Sequence, residues 1–250
     1  MAVSTKAIGV LVTRPAGQAG PLCRRIEALG WQAITFPTIE IVPVAETTLW
    51  NRSDFDILIF VSRNAVIYGS PQIQGDNGSV QFAAVGKGTA DELKKQGITI
   101  DVVPEARWDS EGLLEHPALG EVEGKRVLIV RGEGGRGLLA DELSKRGAIV
   151  EYAEVYRRSL PKADAASLIQ NWSEKIDLVT TTSNEILQNL ITMLAEDGLP
   201  LLRKTPLMVV SERGKVLAAS FGCERIILAN SATEDGLVSA MLQWAESANL

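Results

Sequence analysis

The sequence predicts an α/β protein of two parallel-sheet domains joined by two extended segments. Three observations lead there. Short apolar runs alternate with helical stretches along all 250 residues, the pattern of parallel sheets covered by helices on both faces. The plan occurs twice, since Arg14 and Arg131, like Gly30 and Gly147, stand 117 residues apart with no gap between. Two extended segments, Gln32–Val44 and Ala148–Ser159, hold the same place in each copy and are about twice an ordinary strand of 5–6 residues.

The first copy opens on Ile8–Thr13, a continuous apolar run of the kind found in strands buried on both faces. A helix is predicted over Gln18–Leu29, with Pro21 in its first turn and Gly30 ending it. At roughly 3.3 Å per residue, Gln32–Val44 reaches about 40 Å, too far to stay in one small sheet, and Pro37 and Pro43 interrupt its ladder donors. Then follow a strand at Asp56–Val61, a helix from Ser62, and a polar loop expected to be mobile at Gln72–Gly78. Next are a strand at Phe82–Val85, a helix from Thr89 whose Thr89–Glu92 spacing fits a capping box, a strand at Ile98–Val103, and a helix from Ser110.

The second copy centres on Gly124–Arg158: a strand at Val127–Arg131, a glycine-rich loop at Gly132–Gly137, a helix at Leu138–Arg146, then the second long segment. Asp56 and Ser62 recur 121 residues on as Asp177 and Ser183; Gly97 and Gly112 recur as Gly222 and Gly236. The duplication alone suggests a cut near residue 120. The long segments suggest that each leaves its sheet and crosses to the other lobe. Residues 1–36 with 159–250 are then one discontinuous domain, 43–148 the other, and 37–42 and 149–158 the linker strands. Function is expected where the copies face each other.

Composition narrows the chemistry. A net charge of −6 and the lack of a Lys/Arg cluster argue against a nucleic-acid partner. No apolar run reaches the roughly 18 residues of a membrane span. The N-terminus reads as a lead-in to a strand rather than a signal peptide. Cys23 and Cys223 are far apart and read as reduced thiols of a cytoplasmic protein. One histidine, His116, excludes a multi-histidine metal site, and no cofactor is expected.

In open parallel sheets, ligands bind beyond the carboxyl ends of the strands. The polar residues at those turns are Thr13-Arg14, Ser62-Arg63-Asn64, Gly86-Lys87-Gly88-Thr89, Arg131-Gly132, Thr182-Ser183-Asn184 and Ser211-Glu212-Arg213-Gly214. Each lies where a helix offers unpaired N–H groups, a seat for anions. Taken singly, Ser62, Thr89 and Ser183 read as simple N-caps. Gly132-Glu-Gly-Gly-Arg-Gly137 also fits G-x-G-x-x-G, with Glu151 about twenty residues on. That leaves an NAD-dependent oxidoreductase as one alternative. The duplicate loop, Pro15–Gly20, keeps only two of the three glycines. A two-lobed binder of small anions is another alternative.

VTRPAGQ at 12–18, FVSRNAV at 60–66, AVGKGTA at 84–90, GKRVLIVRGEGGR at 124–136, EVYRR at 154–158 and TTSNE at 181–185 together resemble uroporphyrinogen-III synthase of the bacterial type. The resemblance spans nearly the whole chain. It implies two flavodoxin-like lobes joined by a two-stranded linker, with a discontinuous first domain. It implies a monomeric, cytoplasmic lyase of tetrapyrrole (haem) biosynthesis that closes hydroxymethylbilane to uroporphyrinogen III, losing water and inverting the last ring. No cofactor or metal is implied, and no nucleic acid or membrane partner. The substrate's eight carboxylates are held in the family largely by backbone N–H groups in the interlobe cleft. The candidate substrate-binding residues are then Arg14, Ser62, Arg63, Asn64, Gly86, Lys87, Thr89, Arg131, Ser183, Asn184, Ser211 and Arg213. Tyr156, in EVYRR, matches the tyrosine the family places in the cleft and is the candidate catalytic residue; its alternative role is packing. In the last turn, where the family often has threonines, this chain has Arg213 and Gly214.

Overall fold

The computed structural model describes residues 6–44, 48–76 and 78–248. The chain divides into two compact units: Met1–Glu40 with Ser159–Leu250, here the split unit, and Ile41–Arg158, here the continuous unit.

The sheet of the split unit contains β1 (Gly9–Val12), β2 (Gln32–Thr35), β10 (Leu178–Thr180), β11 (Leu207–Val209) and β12 (Ile226–Leu228). They lie in the order β12-β11-β10-β1-β2, every neighbouring pair parallel. Val10, Val12 and Met208 point to one face, against α1 (Ala16–Ala28) and α10 (Glu234–Ser247). Leu11, Val179 and Leu207 point to the other, against α8 (Asn184–Lys204) and α9 (Glu212–Ser220). Trp172, in the short α7 (Trp172–Lys175) after α6 (Ala166–Gln170), closes that face, its indole N–H donating to Thr205 Oγ1 at 2.9 Å.

The continuous unit repeats the scheme with β3 (Glu40–Pro43), β5 (Ile57–Phe60), β7 (Gln81–Ala84), β8 (Arg126–Gly132) and β9 (Ile149–Ser159), in the order β3-β9-β8-β5-β7. The pairs β9–β8, β8–β5 and β5–β7 are parallel. Leu58, Phe60, Leu128 and Val130 pack with α2 (Arg63–Gly69) and α3 (Lys87–Lys95); Ile57, Ile59, Val127 and Ile129 pack with α4 (Ser110–Leu114) and α5 (Leu138–Lys145). Two-residue strands β4 (Trp50–Asn51) and β6 (Ile73–Gln74) form a small separate sheet.

Both units are doubly wound. In the split unit the chain lays β1 and β2 to one side, then returns to lay β10, β11 and β12 on the other. In the continuous unit it lays β5 and β7 first, then β8 and β9. The strand order therefore reverses between β1 and β10 in one unit and between β8 and β5 in the other, and such reversal points are where open sheets leave a crevice beyond their carboxyl ends.

Several local expectations are corrected. Residues 149–158, expected as a linker strand, lie in β9, which pairs with β8 from Ile149 to Tyr156: Ala153 and Val155 face one core of the unit and Val150 packs against the other. Gln32–Val44, read as too long for one small sheet, holds two short strands, β2 and β3, in different sheets on either side of Pro37. Only Val102 of Ile98–Val103 bridges to the sheet, at Ala83, since the Asp101 carboxylate accepts the Phe82 N–H at 2.8 Å that further pairing would need. The first helix starts at Ala16 with Pro15 before it, so Pro21 lies in its second turn. Within Gln72–Gly78, Ile73 and Gln74 are strand, paired with Trp50 and Asn51, and Asn77 lies outside the described residues.

Candidate functional site

At the reversal point of the continuous unit, Ser62 caps α2, its Oγ accepting the Ala65 N–H at 3.0 Å. The same Oγ lies 3.0 Å from the Tyr156 hydroxyl. Tyr156 comes from β9, two strands away from β5, and its ring crosses the end of β8 over Gly132. A β-bulge makes this possible. The ladder shifts register between Arg131 and Gly132, so that Gly132 pairs with Tyr156 and Val155 is the extra residue. Val155 and Tyr156 are consequently both buried in the same core cluster, although adjacent residues of a regular strand face opposite ways. The Tyr68 ring packs 6.0 Å from that of Tyr156. One hydroxyl proton forms the Ser62–Tyr156 bond; the other has no acceptor among the described residues, so the pair offers one O–H.

At the matching point of the split unit, hydroxyls bind main chain instead. Thr13 Oγ1 donates to Thr180 O at 2.6 Å, Thr180 Oγ1 to Leu11 O at 2.9 Å, and Thr38 Oγ1 to Ile186 O at 3.2 Å. Ser183 and Ser211 cap α8 and α9, accepting the N–H of Ile186 and Gly214. A recess of about 10 Å³ between these helix starts is lined by Thr181, Ser183, Asn184, Ser211 and Gly214, room for about one water.

The predicted cations divide into two groups. Arg14 and Arg131 are both 8 % exposed and are engaged by the protein. Arg14 donates to Glu234 Oε1 at 2.6 Å and to the Ala232 carbonyl. That bond, more than the N–H of Glu234 itself, holds the Glu234 carboxyl below its ordinary range. Arg131 donates to the Gly132 and Arg136 carbonyls and lies 4.7 Å from the Tyr152 ring. Arg131 thus turns back under the loop that follows its strand, and Arg14 clamps the segment that leads into α10. Lys87, Arg63 and Arg213 are exposed, with Arg63 3.8 Å from Glu92. Asn64, Gly86 and Asn184 are half-buried at the starts of α2, α3 and α8. Thr89 is not an N-cap: α3 begins at Lys87 after Gly86, which leaves Thr89 buried in the first turn. The sequence reading missed Thr38, Tyr68 and the bulge.

The glycine motif has local causes. Gly134 and Gly135 have φ of 69° and 96°, conformations that favour glycine, and Gly137 precedes α5. Among the described residues, no set of three or more His, Cys, Asp or Glu could hold a metal ion. No helix there is long and apolar enough to cross a membrane. Burial raises the Cys23 and Cys223 thiol pKa values, which makes both poor nucleophiles.

The profile of the family "Uroporphyrinogen-III synthase HemD" matches residues 21–239. The chain belongs to the uroporphyrinogen-III synthase family. The uroporphyrinogen-III synthase of Salmonella typhimurium is 34 % identical over 246 residues, covering 94 % of this chain and 100 % of its own. That of Escherichia coli K12 is 33 % identical over 245 residues, with the same coverage. The crystal structure of uroporphyrinogen-III synthetase from Helicobacter pylori 26695 shares the fold, with a TM-score of 0.62 at 15 % identity over 96 % of this chain and 100 % of that one. Uroporphyrinogen-III synthase family membership thus extends over both units and over the segments that carry Ser62 and Tyr156.

Proposed function

We propose that this protein is a uroporphyrinogen-III synthase, a cyclising hydro-lyase of haem biosynthesis that acts on hydroxymethylbilane as a cytoplasmic monomer. The Ser62–Tyr156 hydroxyl pair, 3.0 Å apart, carries the catalytic assignment. Its one O–H is positioned to protonate the hydroxyl of the hydroxymethyl carbon, where charge develops as the C–O bond breaks. Water leaves, and the cation is delocalised over the electron-rich pyrrole. The terminal ring attacks through its substituted carbon, and the spiro intermediate fragments and recloses inverted. Rearomatisation releases one proton, which restores the hydroxyl pair, so the net loss is one water.

Free bilane closes unaided to the uninverted isomer, so the enzyme must win a competition by positioning. A hundredfold preference needs only about 2.7 kcal/mol. We assign the carboxylates of the substrate to the helix starts of each unit, which suits a chain of net charge −6 because main-chain N–H groups need no added cation. Ser62, Arg63, Asn64, Gly86 and Lys87 supply these in the continuous unit, and Ser183, Asn184, Ser211 and Arg213 in the split unit. Arg14, Thr89 and Arg131 shape the loops around them.

The test is to add hydroxymethylbilane and separate the product isomers. Uroporphyrinogen III, formed faster than spontaneous closure, is expected. The uninverted isomer alone, at the uncatalysed rate, would overturn the reading. Bilane retained without closure would point to an anion-binding protein.

A further inference from the structure

We propose that Gly132 is a positioning residue for the reaction: the lack of a side chain there is what lets the Tyr156 hydroxyl reach Ser62. The inference rests on the reading of Tyr156 as proton donor. Gly134 and Gly135 are explained by their positive φ, but Gly132 has no such backbone. What distinguishes it is space. A Cβ on Gly132 would lie 2.6 Å from Tyr156 Cε2, 2.7 Å from Cζ and 3.1 Å from the hydroxyl. Its three nearest neighbours thus all belong to one phenol. The first two distances are shorter than real Cβ contacts, so the ring would have to move.

The ring has little freedom to move and keep its bond. Tyr156 is 6 % exposed and clustered with Phe60, Val130 and Val155, with Tyr68 against it. The bulge fixes the backbone on one side, and Ser62 is held by its cap bond to Ala65. A methyl group at 132 therefore pushes the phenol off Ser62. Pro15, which stands 117 residues before Gly132, carries a ring at the matching position, and Ile39 stands 117 residues before Tyr156. The space and the phenol occur together in one copy and are both missing from the other.

The experiment compares the parent, Gly132→Ala, Tyr156→Phe and the double variant. The readouts are kcat, KM, the share of uninverted product and a crystal structure of Gly132→Ala. The expected result for Gly132→Ala is a ten- to hundredfold lower kcat, a KM within twofold, a raised uninverted share, and the phenol displaced by about 1 Å or more from Ser62. In the Tyr156→Phe background, the same methyl should cost less than twofold more. Equal losses in both backgrounds, or a phenol still bonded to Ser62 in the Gly132→Ala structure, would overturn the proposal. A Tyr156→Phe enzyme at the parental rate would instead remove the donor reading, while a displaced phenol would still establish the positioning. If Gly132→Ala does not fold, pairing it with Tyr156→Leu should restore folding by taking the ring away. Failure to restore it also overturns the proposal.

Discussion

The two units share a strand order, the same pairing of helices to sheet faces and a buried arginine at the end of a central strand, yet they differ where the order reverses. In the split unit the hydroxyls of Thr13, Thr38 and Thr180 each donate to a main-chain carbonyl. In the continuous unit Ser62 and Tyr156 bind each other, and one of two protons stays available. A hydroxyl bonded to main chain closes a strand end; a hydroxyl pair with a spare proton can do chemistry. On the function proposed above, the duplicated fold gives one copy a structural role and the other a reactive one through a few residues: a bulge, a phenol and a glycine.

The largest effect that tests this contrast should come from Tyr156→Phe, which keeps the ring and removes the O–H. Turnover should fall roughly ten- to hundredfold, about 1.4–2.7 kcal/mol of transition-state stabilisation. The melting temperature should change little, and the uninverted isomer should take a growing share. A comparable loss of a buried hydroxyl in the split unit, Thr38→Val, removes a bond to the Ile186 carbonyl. It should cost about 1 kcal/mol of stability and leave the isomer ratio unchanged. Parental turnover in Tyr156→Phe, or an altered isomer ratio in Thr38→Val, would erase the distinction.

A smaller effect comes from the two serine caps. Ser62 and Ser183 make the same bond, to the N–H three residues on. Replacing either with Ala should cost about 1 kcal/mol of stability. Only Ser62→Ala also removes the partner of Tyr156, so only Ser62→Ala should slow turnover beyond what thermal destabilisation explains. Melting curves and single-turnover rates on both variants would show it; equal kinetic losses would reduce Ser62 to a cap.

Much of this was legible in the sequence because it depends on residues that have no substitute. Gly112 and Gly236 are the third residues of α4 and α10, where an added Cβ would lie 1.9 Å from the Arg107 carbonyl and 2.2 Å from Ser231 Oγ. Close approach demands glycine in both copies, and the repeat shows. The Thr181–Glu185 and Phe60–Val66 stretches were legible for the same reason: a strand end must be followed by a cap. The bulge was not legible. Val155 and Tyr156 read as ordinary alternation, and only the register with β8 places both on one face. Nor could the sequence show that Arg14 and Arg131 are engaged by the protein, because an arginine after an apolar run looks the same whether it faces ligand or a loop of its own chain.

The smallest effect concerns those two arginines and separates them by pH. Arg14 meets Glu234 at 2.6 Å, and this bond depresses the Glu234 pKa below its ordinary value of 4.5. Glu234 also opens α10, where a negative charge meets the positive end of the helix dipole. A carboxyl whose folded pKa is depressed adds stability above its unfolded pKa and loses it as pH falls through the folded value. Glu234→Gln keeps an acceptor for Arg14 and removes the charge. The variant should melt lower than the parent at pH 7, and the gap should narrow as pH drops below about 4.5. Arg131 has a looser partner: Glu154 lies 3.8 Å away with its side chain 43 % exposed, where solvent screening leaves little. Glu154→Gln should therefore stay closer to the parent at pH 7. Melting temperatures of both variants from pH 7 to pH 3 decide it, and a Glu234→Gln gap that widens toward acid would reverse the sign of the argument.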